Sequence, residues 1–140
     1  MFGPFDHVGY LVRDFDAALE QAQALFALPL ARRADLPQFA IRAAFLGEGS
    51  GTLEIFTFAD PELLDPRLDG AERRIDHVAF RVDDLDAVVA LLRAGGARFS
   101  GPDRRGEVSE PIALGANRAL WTLPETTGGL ALQLIQLPAQ

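Results

Sequence analysis

Two stretches of the chain alternate apolar and polar residues and then change to helical spacing. In the first, "FDHVGYLVRDFDAAL" (residues 5–19), Val8, Tyr10 and Val12 fall on one face of a strand and His7 and Gly9 on the other. Phe15, Ala18, Leu19, Ala22 and Phe26 then form an apolar stripe at helical spacing. The second, "IDHVAFRVDDLDAVV" (residues 75–89), repeats the pattern, and Leu85, Val88, Val89 and Leu92 supply its stripe. Asp14 and Asp84 suit helix N-caps, and Asp16 and Asp86 in the first turns favour the helix dipole. Pro29 is expected to stop the first helix soon after Leu28, and Gly95 and Gly96 to stop the second.

The two phrases are copies. At an offset of 77 − 7 = 70, Asp6, His7, Val8, Val12, Asp14, Asp16 and Ala17 recur as Asp76, His77, Val78, Val82, Asp84, Asp86 and Ala87. Seven identities in twelve positions indicate a duplicated half-domain; two copies are too few for a solenoid. Strand-like runs follow each helix: roughly 39–46 and 52–58 in the first half, and 97–99, 118–123 and 130–137 in the second. The closing runs "TLEIFTF" and "ALQLIQL" pair Glu54 with Gln133 at an offset of 79, so the second half carries about nine extra residues, mostly in 100–117. The reading is one α+β domain of two tandem βαβββ modules, about 1–60 and 74–140, joined by a linker over 61–73.

Four polar side chains interrupt these apolar strands at matched positions: His7, Glu54, His77 and Gln133. The two histidines are the only ones in the chain. Each taken alone reads as an ordinary hydrogen-bonded or solvent-facing residue. Taken together, and related by one duplication, they form a candidate constellation of two imidazoles, one carboxylate and one carboxamide. A buried carboxylate is costly unless a cation neutralises it. Two nitrogens and two oxygens suit one divalent metal, and Co, Ni, Mn, Zn and Fe all fit. A divalent ion with one carboxylate ligand keeps net positive charge, which stabilises an enolate and eases proton abstraction beside a carbonyl.

Composition narrows the field. The 140 residues suit a single domain, and no apolar run is long enough to span a membrane. The start "MFGPFDHV" lacks a basic region followed by an apolar stretch, so no secretory signal is expected and a cytoplasmic location is the default. The net charge of −7 argues against a nucleic-acid partner. Absence of cysteine excludes thiolate ligands and thiol nucleophiles, and absence of lysine excludes Schiff-base chemistry. Arg104 and Arg105 in the extra loop, with Arg118, either meet an anionic substrate or decorate a solvated loop. Trp121 either lines the site or fills the core.

The "DHV-x-[YF]-x-V-x-D-x-DA" phrases, the strand "TLEIF" and the ending "TGGLALQL" resemble the vicinal oxygen chelate superfamily, which includes glyoxalase I, extradiol dioxygenases and fosfomycin- and bleomycin-resistance proteins. The resemblance covers almost the whole chain. It implies paired βαβββ modules forming a cupped mixed sheet around a metal, with His7, Glu54, His77 and Gln133 where the family places its ligands. The closing strand is most similar to that of the methylmalonyl-CoA epimerases. Those proteins usually carry a glutamate where this chain has Gln133, and a second one, proposed as an acid/base residue, where "LPQFAIRAAF" puts Gln38. The resemblance therefore implies a metal-dependent isomerase or epimerase working through a metal-stabilised enolate, for example on a 2-substituted malonyl-CoA, with Glu54 as the remaining carboxylate base. A glyoxalase-like lyase and a non-catalytic drug-sequestering protein are the alternatives. Ring-cleaving dioxygenase chemistry is disfavoured, because both histidines are used as ligands. The family commonly pairs modules across chains, so a homodimer is expected around a small-molecule substrate.

Overall fold

The computed structural model describes residues 1–49 and 51–139. The chain divides into two compact units, one of His7–Asp76 and one of Met1–Asp6 with His77–Gln140. Both boundaries fall at the Asp–His step of a repeated phrase.

The His7–Asp76 unit contains most of β1 (Phe5–Val12), α1 (Phe15–Ala24), β2 (Leu30–Arg33), β3 (Ile41–Leu46), β4 (Thr52–Phe58) and α2 (Pro61–Leu68). Its strands run in the order β2-β3-β4-β1. β4 pairs parallel with β1 and antiparallel with β3, and β2 is the antiparallel neighbour of β3. One face of this sheet packs Val12, Ala44, Leu46 and Ile55 on Phe15, Ala18 and Ala22 of α1. The other face gathers Leu11, Ala43, Phe56 and Phe58 with Leu64 and Leu68 of α2. The period-two pattern thus selects the α1 face for Val8, Tyr10 and Val12 and the opposite face for His7.

The second unit contains most of β5 (Arg73–Arg81), then α3 (Leu85–Ala94), β6 (Phe99–Ser100), β7 (Ile112–Leu114), β8 (Asn117–Thr122) and β9 (Leu132–Gln136). The order is β5-β9-β8-β6, with β7 also on β8. β5 and β9 are parallel; β8 is antiparallel to its neighbours. Val82, Phe99, Leu120 and Leu134 pack on Leu85, Val88 and Val89 of α3. Ala79, Ala119, Trp121 and Ile135 cluster on the other face. The first unit is therefore a βαβββ module followed by α2, the second a βαβββ module with β7 inserted beside β8, and the chain is α+β as expected.

The capping expectation holds in both copies: Asp14 Oδ1 accepts from the Ala17 amide and Asp84 Oδ1 from the Ala87 amide, each at 3.0 Å. Four local expectations change. α1 ends at Ala24 rather than near Leu28; Ala27 takes a left-handed φ of 52°, and Phe26 is exposed instead of extending the stripe. The first-half strand begins at Ile41, because Pro37–Phe39 forms a 3-10 turn closed by Ala40 at φ 52°. The 61–73 linker holds a helix, α2, capped by Asp60 and anchored by Leu64 and Leu68. The extra loop contains β7, which returns into β8 through Gly115 at φ 62°, a conformation glycine adopts without strain.

The first six residues belong with the second unit. Gly3 N–H donates to the Arg81 carbonyl at 2.7 Å, Arg81 N–H to the Pro4 carbonyl at 2.9 Å, and Phe2 stacks on Phe80. A Cβ at Gly3 would lie 2.9 Å from the Arg81 carbonyl oxygen, so only glycine fits this approach.

Candidate metal centre

In the His7–Asp76 unit, the parallel register places Gly9 of β1 opposite Glu54 of β4. His7, two residues before Gly9, shares its face with Glu54, on the side of the sheet away from α1. The imidazole is 1% exposed. Its Nε2 lies 3.6 Å from Glu54 Oε1, whose side chain is 15% exposed. That separation is longer than a hydrogen bond. It is close to the spacing of two donors sharing one ion: bonds of about 2.1 Å put adjacent ligand atoms roughly 3.0–3.4 Å apart. The pair therefore fits a divalent cation by donor type and spacing. Phe45, the β3 partner of Glu54, meets the His7 ring edge-on at 4.9 Å and fills one side of the imidazole.

The second unit repeats the arrangement in the same register. Ala79 of β5 lies opposite Gln133 of β9, so His77, two residues before Ala79, shares the face of Gln133, away from α3. Both are buried, His77 at 4% and Gln133 at 5% exposure. Trp121 is the β8 partner of Gln133, as Phe45 is of Glu54. Trp121 is buried in the cluster with Ala79, Ala119 and Ile135, so it packs the core and borders Gln133 at once. Each module thus presents one histidine, one oxygen donor from its last strand and one aromatic ring.

The other sequence candidates are dispersed. Gln38 sits in the exposed 3-10 turn Pro37–Phe39. Arg105 is exposed, its amide donating to Asp103 Oδ1 at 3.2 Å. Arg104, half-buried in the same loop, has a left-handed φ of 54°. Arg118 forks onto Asp86 of α3 with contacts of 3.0–3.2 Å, and its guanidinium is held raised in pKa first by that hydrogen bond. Its register position puts it on the α3 face, opposite that of His77 and Gln133. The first module has the same scaffold pair, Arg42 to Asp16 at 3.1 Å. Phe45 escaped the sequence reading. The signal was there: "RAAF" and "RALW" align at 121 − 45 = 76, which pairs Phe45 with Trp121 and Arg42 with Arg118.

Among the described residues, no helix is long and apolar enough to cross a membrane. No curated protein matches the chain by sequence. Solved structures do. The methylmalonyl-CoA epimerase of Mycobacterium tuberculosis is 26% identical, with 99% of this chain and 90% of that one covered, at a TM-score of 0.81. The Streptomyces coelicolor methylmalonyl-CoA epimerase in complex with 2-nitronate-propionyl-CoA is 21% identical, with 99% and 100% covered and a TM-score of 0.83. A methylmalonyl-CoA epimerase in complex with methylmalonyl-CoA and ammonium is 21% identical, with 99% and 97% covered and a TM-score of 0.84. The sequence profile of the glyoxalase/bleomycin resistance protein/dioxygenase superfamily matches residues 6–113. With two βαβββ modules and this profile over most of its length, the chain belongs to that superfamily, the vicinal oxygen chelate proteins.

Proposed function

We propose that this protein is a metal-dependent isomerase or epimerase that removes and returns a proton beside a substrate carbonyl, with a 2-substituted malonyl thioester as the leading substrate class. His7, Glu54, His77 and Gln133 would hold one divalent ion. The observation that carries the reading is the repeated register. A buried histidine and an oxygen donor stand two positions apart across β1–β4 and again across β5–β9. The 3.6 Å approach of His7 to Glu54 supports it. The resemblance in fold to methylmalonyl-CoA epimerases supports the substrate class.

The ion, when bound, supplies positive charge that stabilises the developing enolate. The chain's own residues do the rest. Glu54 is the one anionic member of the set and takes the proton at a carboxylate oxygen; its return from Glu54 to the same face gives exchange, and inversion requires a proton delivered from water to the opposite face. His7 offers a buried nitrogen beside that carboxylate, and Phe45 packs edge-on against the His7 ring. Gln133 is neutral over the whole pH range, so it donates an oxygen and exchanges no proton.

The test has two stages. Metal content of the purified chain should be one equivalent and should fall sharply in His7→Ala and in His77→Ala. Deuterium uptake from heavy water at C2 of methylmalonyl-CoA is then followed for the loaded wild type and Glu54→Gln. Uptake that survives unchanged in Glu54→Gln removes Glu54 from the role of base. Full metal loading with no uptake moves the assignment to another reaction or to sequestration of a ligand.

A further inference from the structure

Carboxylates outnumber arginines in this chain by twenty to thirteen, and most arginines spend their charge on them. Arg13, Arg42, Arg67, Arg81 and Arg118 each contact an aspartate within 3.2 Å. Arg32 does not: among the described residues it makes no ion pair. Its guanidinium carbon lies 4.1 Å over the Phe45 ring instead. The ring that carries it is the one that meets His7 edge-on at 4.9 Å. Laid end to end, these two separations put the guanidinium within about 9 Å of the His7 imidazole. The strand register agrees, pairing Arg32 with Phe45 and Phe45 with Glu54 across β2, β3 and β4. Arg32 is therefore an exposed cation on the His7–Glu54 face of its sheet, pre-positioned by stacking and with its five donors open.

The scaffold does not require it. The register-equivalent residue of the other module is Ser100, opposite Trp121, and it is a buried serine whose hydroxyl donates to the Gly101 carbonyl. Arg33, its neighbour in sequence, faces the other way, over Phe15 and beside Asp35.

We infer that Arg32 is an anion-binding residue of the substrate site, taking a carboxylate or phosphate carried by the substrate away from its chelating oxygens; this rests on the metal-site reading above. The substrate class is then an oxygen chelator with a distal negative group.

Isothermal titration of the cobalt-loaded chain tests this with three probes sharing one chelating end: 2-oxopentanoate, 2-oxoglutarate and 4-phosphono-2-oxobutanoate. Wild type is expected to bind at least one charged probe tenfold or more tighter than 2-oxopentanoate; which one identifies the anion. Arg32→Met, which keeps the packing on Phe45 without the charge, should take up cobalt normally and lose the preference to below twofold. Equal binding of all three by wild type, or a preference that survives in Arg32→Met, overturns the assignment while leaving the metal site intact. Failure of wild type to take up cobalt overturns the metal-site reading instead. Arg32 is then judged on the metal-free chain, with propionate and methyl phosphate titrated against the Arg32 Nε–H NMR signal. A saturable shift retains an anion site, and its absence leaves only a charge guarding the β2 edge.

Discussion

Asp76 immediately precedes His77, and its carboxylate takes a forked contact from Arg67 of α2: Nε to Oδ1 at 3.2 Å and an Nη to Oδ2 at 2.7 Å. The pair is enclosed, with the side chains 10% and 3% exposed, and the guanidinium also lies 4.7 Å over the Phe58 ring. Asp76→Ala would remove the forked carboxylate partner of a buried guanidinium, and breaking such a pair costs roughly 3–5 kcal/mol. At about 3–4 °C per kcal/mol for a chain of this size, the melting temperature should fall by about 9–20 °C. Asp76→Asn should cost nearly as much, because it preserves shape but not charge. Arg67→Met with Asp76→Leu should recover most of the loss, since an apolar pair of similar volume avoids the desolvation penalty. The control is Asp86→Ala, which breaks a forked pair with Arg118 whose side chains are 65% and 40% exposed. That variant should lose no more than about 1 kcal/mol. Urea unfolding followed by circular dichroism measures all four. If Asp76→Ala costs no more than Asp86→Ala, enclosure is not what sets the strength of these pairs and the reasoning fails.

Glu54→Gln should lower deuterium exchange at the substrate carbon about a hundredfold or more, in line with the loss of a general base, and removal of metal by a chelator should abolish the same exchange until metal is restored. Asp35 holds its carboxyl below the ordinary value of 3.8, chiefly by accepting the Ala43 amide hydrogen bond at 3.0 Å. Its contribution to stability is therefore complete above pH 3.8 and is lost as the pH falls from there through the lower folded value; Asp35→Asn should flatten the acid limb of the stability curve below about pH 4 and leave its slope at neutral pH unchanged. Arg118→Met should leave substrate affinity within twofold of wild type by titration calorimetry, because the side chain is spent on Asp86. Light scattering at micromolar concentration should give the mass of a homodimer, and a monomer would count against pairing of modules across chains.

The duplication made much of this fold legible. Repeated phrases located β1, α1, β5 and α3, both aspartate caps and the face on which each histidine lies. The site residues stood out because a histidine or glutamate inside an apolar strand contradicts its surroundings. What stayed hidden lacked such contradiction. β2 is four exposed residues, "LARR", with no alternation to read; it is fixed by edge pairing and by Arg32 and Arg33 stacking on Phe45 and Phe15. α2 lies in the segment read as a linker and carries two prolines, although Asp60 before Pro61 and the Leu64–Leu68 spacing form a complete helix signal. The docking of Met1–Asp6 on Arg81 depends on backbone hydrogen bonds, which leave no trace in side-chain pattern. Arg118 was ambiguous alone; only its duplicate, Arg42 with Asp16, marks it as scaffold.

What the two modules share and what they do not divides structure from chemistry. The caps and the Asp16–Arg42 and Asp86–Arg118 pairs are kept in both, as expected of features that hold each βαβββ unit, and so are the histidines, which on the proposed reading donate one nitrogen each. Three differences that change chemistry fall on the faces opposite α1 and α3. Glu54 stands where the other module has Gln133, Phe45 where it has Trp121, and Arg32 where it has Ser100. Both charges among these six residues belong to the His7–Asp76 unit. A substrate with one acidic carbon is itself unsymmetrical, and duplicated donors of equal charge would not distinguish its two ends. On the proposed reading, the first module takes the proton and the anionic group, and the second supplies uncharged donors. On the same reading, an ion held by one carboxylate rather than two would keep more positive charge with which to stabilise an enolate.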